Sequence, residues 1–364
     1  LRKVLFLFYS TFLMAGCWDQ NQLKDDRLVN GISFDTADSS EDIKGTVRAI
    51  NIRGSGGGRF EVKDDFYISE EETVAQLEMN LQNKVSGNMD LGKAFIIIIG
   101  EDLAQKKGIN PLLEPIFRSL KGYISSRVVI SEGKGSDILT LKIDESPIVF
   151  EVDNLLIGGA KNSYIPEETT FTVWNEILDD TNDIIIPYIK KDSQNKLRLA
   201  GSALFDRDKF TGYTLTTSQT SLLLLLRGEI QEVAKVTIDS EKLSQPLTLA
   251  IEDGKTKMDV KKEDGKVTCQ ITANLKAKIL SYYEGKASED IKHLNEVASE
   301  ELTKKTQELT NILIKANSDA LGVAKDFSTE YHESWNPDSW KDEYQHVDFK
   351  QKINVDIISS NNLQ

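Results

Sequence analysis

Residues 266–279 constrain the fold more than any other stretch. Val267, Cys269, Ile271, Ala273, Leu275, Ala277 and Ile279 alternate without a break with Lys266, Thr268, Gln270, Thr272, Asn274, Lys276 and Lys278. A period of two sends all the apolar side chains to one face and all the polar ones to the other. The stretch is therefore a long strand in a sheet with one wet face. The dry face needs a cover, and the sequence supplies one soon afterwards. Ile291, Leu294, Ala298, Leu302, Leu309, Leu313 and Ala316 recur at helical spacing, behind Ser288 as a cap and Glu289 and Asp290 in the first turn. About 28 helical residues would run about 42 Å, enough to lie across such a sheet. Gly322 closes this segment. Val347, Phe349, Ile353, Val355 and Ile357 then alternate again as a last strand. The C-terminal half is expected to be an antiparallel sheet packed on one long helix. Trp335, Trp340, Tyr331, Tyr344 and Phe349 read as packing between that helix and the last strand, with a docking surface as the alternative.

The N-terminal half is patterned differently. Residues 18–65 read as strands and loops. Within them, residues 53–59 carry Gly54, Gly56, Gly57 and Gly58. The spacing matches neither phosphate-binding glycine pattern, so a hairpin tip is expected there. A helix is expected over residues 70–81, where Val74, Leu77 and Leu81 share a face. Residues 94–99 are an apolar run and read as a buried strand. Residues 101–120 read as two short helices broken by Gly108 and Pro111, residues 126–131 as a strand, and residues 136–141 as the start of a helix. This order is α/β-like. Residues 145–200 are polar and contain Pro147, Pro166 and Pro187. They end in an extended stretch at 184–189 and a linker at 190–196. Residues 199–205 and 210–215 read as strands around a turn at 206–208. The five leucines at 222–226 are far too few to cross a membrane and read as a buried helix or strand end.

The expected fold class is α+β and multidomain, with an α/β-like N-terminal part and the helix-backed sheet at the C-terminus. The expected division is residues 1–16 as a leader, 17–190 as one domain with room for an internal subdivision, and 197–364 as another.

The first residues carry the sharpest functional signal. Arg2 and Lys3 precede an uncharged apolar run over residues 4–14, followed by Ala15, Gly16 and Cys17. Eleven helical residues rise about 16 Å against a bilayer core of about 30 Å, so this run reads as an export signal. Small residues directly before a cysteine make it a lipobox: the peptidase needs small side chains at the scissile bond, and the thiol takes a diacylglyceryl group. Cys17 is the expected lipidation site. Two acyl chains hold a protein stably where one holds it only marginally. The second cysteine, Cys269, falls on the dry side of the alternating strand and reads as an inert core thiol. Asp and Glu outnumber Lys and Arg by 58 to 44, a formal charge of -14, which argues against nucleic acid as a partner.

No catalytic constellation is evident. His293, His332 and His346 lack metal-ligand spacing, and there is no G-x-S-x-G elbow. The acidic groups Asp25-Asp26, Asp64-Asp65, Glu70-Glu71-Glu72 and Asp179-Asp180 read as solvated charge. No catalytic residue, cofactor or metal is expected.

The segment Gly16-Cys17-Trp18-Asp19 followed by Leu23 resembles the mature start of the Ger(x)C family, the lipoprotein C subunits of spore germinant receptors. The likeness extends through residues 95–104, Gly108, 126–130 and Gly133-Lys134, then 199–205, Gly212 and the leucine run, then 319–322, Trp335, Trp340 and the last alternating strand. It spans nearly the whole chain. Met14, where lipoboxes usually carry Leu, and the polar Ser359-Ser360-Asn361-Asn362 tail depart from the family pattern. The resemblance implies a three-domain α+β build. It also implies a non-enzymatic subunit on the outer face of the spore inner membrane, acting with a membrane-attached A subunit and a polytopic B subunit and binding no small molecule itself. Two other readings share the anchor: a solute-binding lipoprotein of an import system, which needs two similar lobes around a cleft, and a surface hydrolase.

Overall fold

The computed structural model describes residues 26–358 apart from 39–40, 56–58, 119–122, 143–146 and 283–290. The described strands fall into two sheets. The first opens with an antiparallel meander: Asp26–Thr36 (β1), Ile43–Ser55 (β2) and Arg59–Glu71 (β3). β2 and β3 pair without a slip from Ile43↔Glu71 to Ser55↔Arg59; the expected hairpin tip at Gly56, Gly57 and Gly58 lies outside the described residues. The helix Val74–Lys84 (α1) follows, closed at its start by a capping box between Thr73 and Gln76. It begins later than its apolar spacing suggests because Glu70 and Glu71 finish β3. Asn88–Asp90 (β4) makes a short pairing with β1.

The centre of this sheet is parallel. Ile96–Gly100 (β5), Arg127–Ser131 (β6) and Ile185–Lys191 (β7) line up beside β1 in that order. Parallel neighbours need crossovers. Glu101–Lys106 (α2) and Asn110–Arg118 (α3) join β5 to β6. Gly135–Leu139 (α4), Ile148–Lys161 (α5) and Thr170–Ile177 (α6) join β6 to β7. Helices cover both faces, so all five residues of β5 are buried. Ile97 and Ile99 pack with Leu77, Leu103 and Leu112 on one side; Ile96 and Ile98 pack with Ile138, Val149 and Val152 on the other.

Residues 145–200 are more ordered than their polarity suggests. The helical period of α5 is diluted by Gly158-Gly159. Gly159 is needed where it stands: a Cβ there would lie 2.5 Å from Leu199 Cδ1. The stretch read as a linker is a tight turn, in which Asp192 accepts hydrogen bonds from the amides of Gln194 and Lys196. It joins β7 to Leu197–Asp206 (β8), which pairs antiparallel with β7, and Lys209–Leu215 (β9) completes the sheet.

The five leucines belong to a helix, Thr217–Arg227 (α7), and all are buried. The reason lies in its position. α7 packs on β8 of the first sheet and on Ala234–Ile238 (β10) and Leu247–Glu263 (β11) of the second, so it is apolar nearly all round. The second sheet runs β10-β11-β12-β13, with Lys266–Ser281 as β12 and Asp348–Ile357 as β13. The inward side chains of β12, Cys269 among them, are buried under the helix Ile291–Ala316 (α8). The expected cap at Ser288, Glu289 and Asp290 lies outside the described residues.

Two details differ from the sequence-based expectation. This sheet is not wholly antiparallel: β13 runs parallel to β12, in register from Thr268↔Asp348 to Ala277↔Ile357. The chain returns to the starting end of β12 through α8, Val323–Glu330 (α9) and Pro337–Tyr344 (α10), a crossover that imposes parallel pairing. Gly322, with φ 73°, opens α9 rather than simply ending α8. The aromatic residues form core packing: Trp340 and Tyr344 are buried, and the Trp340 ring lies 4.8 Å from that of Phe327. The buried apolar residues gather in three clusters, two of them on opposite faces of the first sheet.

Candidate functional site

Cys17 lies outside the described residues. The described chemistry concentrates instead where the two sheets meet. Asp183 precedes β7 and is 3% exposed. Its carboxylate accepts hydrogen bonds from the backbone amides of Arg207 and Asp319, both at 2.7 Å, and from Lys341 Nζ at 2.8 Å to each oxygen. The amide of Asp183 donates in turn to the carbonyl of Asp319 at 3.2 Å. Asp183 belongs to the first sheet's side; Asp319 and Lys341 belong to the crossover of the second. Lys341 also pairs with Asp206 of β8 at 2.5 Å. Nearby, Arg207 donates to the Asp338 carboxylate at 2.7 Å.

Asp319 is the deepest acid of this group. It stands ahead of α9 and accepts hydrogen bonds from the amides of Val323 and Ala324, the first two of that helix, and from Trp340 Nε1 at 3.0 Å. Burial pushes its carboxyl up to about 7. The neighbouring charge of Asp183 adds to the rise, and the amide hydrogen bonds oppose it.

A second bridge lies close by. Arg227, at the end of α7, donates to the carbonyl of Ala320 at 3.2 Å and pairs with Glu229 at 2.8 Å and Glu176 of α6 at 3.6 Å. Burial raises the carboxyl pKa of both Glu176 and Glu168 above the usual range.

A carboxylate whose lone pairs are filled by fixed donors is a fastening rather than a general base. The Asp183 cluster ties two sheets together. Among the described residues, no group of three or more His, Cys, Asp or Glu side chains is placed to hold a metal ion, and no helix is long and apolar enough to cross a membrane. Sequence reasoning missed this junction because Asp183 and Asp319 stand far apart in the chain and neither lies in a motif. The only local signal was Asp319 just before the Gly322 that opens α9. Of the acidic groups it did single out, Asp179 and Asp180 line the same cleft as Asp183 and Asp319, while Asp64 and Glu70 stand elsewhere. Asp64 is not free charge: it pairs with buried Arg48, and Glu70 pairs with Lys44 at 3.4 Å.

These features define a two-sheet α+β protein whose halves are locked through buried polar bridges. The chain belongs to the Ger(x)C family of spore germinant receptor C subunits. Its residues 19–191 match the family model described as spore germination protein N-terminal domain, and residues 200–361 match the one described as spore germination B3/GerAC like, C-terminal. It is 27% identical to spore germination protein GerQC of Bacillus cereus, over 99% of this chain and 98% of that one. It is 22% identical to spore germination protein A3 of Bacillus subtilis (strain 168), over 79% and 74% respectively. The crystal structure of the GerBC protein has the same fold, with a TM-score of 0.60 and 17% identity, covering 94% of this chain and all of that one.

Proposed function

We propose that this chain is a lipid-anchored, non-enzymatic subunit of a nutrient-germinant receptor. In this reading a diacylglyceryl group on Cys17 holds it to the outer face of the spore inner membrane, where it acts with the A and B membrane subunits. The observation that carries the reading is the end-to-end match of both halves to the germination family. The lipobox supports the anchor, and a two-sheet body locked through buried polar bridges suits an adaptor. The mature chain is taken to divide into residues 17–190 and 197–364. A solute-binding lipoprotein needs two similar lobes; among the described residues one sheet has nine strands and the other four.

The anchor is tested by metabolic labelling with a lipid probe. Cys17→Ala is expected to abolish the label and release the chain from membranes; unchanged retention would refute it. Crosslinking in spore membranes is expected to return the A and B subunits as neighbours. Tight binding of amino acids or sugars by the purified chain alone, read by calorimetry, would favour the importer reading.

A further inference from the structure

We propose that the solvated face of the second sheet docks on an anionic bilayer surface. The proposal rests on the lipid-anchored reading above and adds an orientation to it.

The chain as a whole is acidic, with a formal charge of -14. The centre of this one face is not. Lys255 and Lys257 stand on β11, and Lys350 and Lys352 on β13, all of them exposed and all on the side away from α8. The rows are set by the register: Lys257↔Thr272↔Lys352, Asp259↔Gln270↔Lys350 and Lys255↔Asn274↔Asn354. With strands about 4.8 Å apart, the two lysine columns stand about 10 Å from each other across β12. Between them β12 contributes only uncharged polar side chains. Lys255, Lys350 and Lys352 have no ion-pair partner among the described residues, while Lys257 pairs with Asp259 at 2.8 Å. Further acids stand toward the ends of the face, at Asp253 and Asp356 on one side and Glu263 and Asp348 on the other.

The make-up of the face selects the occupant. A protein-docking surface draws its affinity from aromatic or aliphatic anchors seated in pockets, and no apolar side chain interrupts the centre of this one. Lipid headgroups ask only for positive charges held against the surface. That attraction falls off within about 8 Å at physiological salt, so it acts only on a face held close to the bilayer. The tether keeps the body within reach of the leaflet, since the chain from Cys17 to Asp26 spans at most about 30 Å, and the lysines then favour the orientation that brings this face against it. A body tied so near an anionic leaflet is repelled through its acidic surfaces and attracted through this one.

The test uses the natural lipidated chain on vesicles of phosphatidylcholine alone or with added phosphatidylglycerol. Lysine acylation is read residue by residue by mass spectrometry. Lys255, Lys257, Lys350 and Lys352 are expected to label at least about fivefold more slowly on the anionic vesicles. Exposed Lys106 should be unaffected, and added salt should remove the protection. The K255Q/K257Q/K350Q/K352Q variant should lose the difference between vesicle types. Equal labelling on both vesicles overturns the proposal, as does protection that arises only with other receptor subunits present. Retention on neutral vesicles reports the anchor alone. If the anchor reading fails, flotation of the unanchored chain with anionic vesicles still reads the face.

Discussion

The amide of Val355 donates a hydrogen bond to the hydroxyl of Ser299 at 2.9 Å, so a helix side chain occupies the place that another strand would take beside β13. The device is repeated along the edge. Ile353 donates to Thr303 Oγ1 at 3.1 Å, and Ile357 to Asn295 Oδ1 at 2.9 Å. The match is geometric: four residues of helix rise about 6.0 Å and two residues of strand about 6.6 Å, so each turn of α8 meets the next outward amide of β13. Exposed sheet edges invite pairing with other chains, and this one is closed by polar side chains of its own crossover helix.

Removing the caps should therefore weaken the fold and open the edge. Ser299→Ala or Thr303→Val each leaves a half-buried amide without a partner, at an expected cost of about 1–3 kcal/mol by urea denaturation. The double variant should also self-associate on size-exclusion chromatography. A double variant that stays as stable and as monomeric as the parent would show that the edge is protected by apolar packing alone.

The junction between the sheets gives a second expectation. Asp183→Ala strips Lys341 of its main partner and leaves the Asp319 amide unpaired, which should cost about 3–5 kcal/mol. The loss should fall on the coupling of the halves, so tryptophan fluorescence and far-ultraviolet circular dichroism, coincident in the parent, should separate into two transitions in the variant.

Asp319 makes stability depend on pH in an unusual direction for an acid. Its folded pKa of about 7 lies above the ordinary value of 3.8, so between these pH values the folded chain holds a proton that the unfolded chain has lost. Its contribution is fully present below about pH 3.8 and is lost as the pH rises through about 7. Asp319→Asn should flatten the fall in stability between pH 4 and 7. Glu168 and Glu176 are raised in the same direction, so a residual slope should persist.

Cys269 is fully buried, and burial pushes its thiol up to about 12. Since the thiolate is the reactive form, native protein at pH 8 should leave this residue unlabelled by iodoacetamide over hours, whereas denatured protein should label at once. Rapid native labelling would mean that the sheet opens away from α8 far more often than its packing implies.

The second sheet was legible where one physical rule decided the sequence. Alternation over residues 266–279 fixed a face for every side chain, and the stripe from Leu294 to Ala316 had to match it. Strand direction was not legible, because a period of two is the same in parallel and antiparallel pairs; only the crossover through α9 and α10 decides that β13 is parallel. α5 and α6 were hidden by Gly158, Gly159 and the flanking prolines, which serve packing and turns rather than periodicity. The leucine run gave burial but not its reason, since two separate sheets make the environment of α7. The junction escaped because its meaning lies in a pairing between Asp183 and Asp319 that no local pattern encodes. Cys17 was read from the chemistry of processing, which concerns an enzyme acting on the chain and not the folded body.

The helix of leucines has a further consequence. Leu222 to Leu226 pack in one cluster with Ile185, Leu204 and Leu215 of the first sheet and with Leu249, Ile251 and Leu275 of the second. Neither half owns that interior. A fragment cut between residues 190 and 197 would uncover greasy surface on both pieces, so the halves should be produced together or not at all.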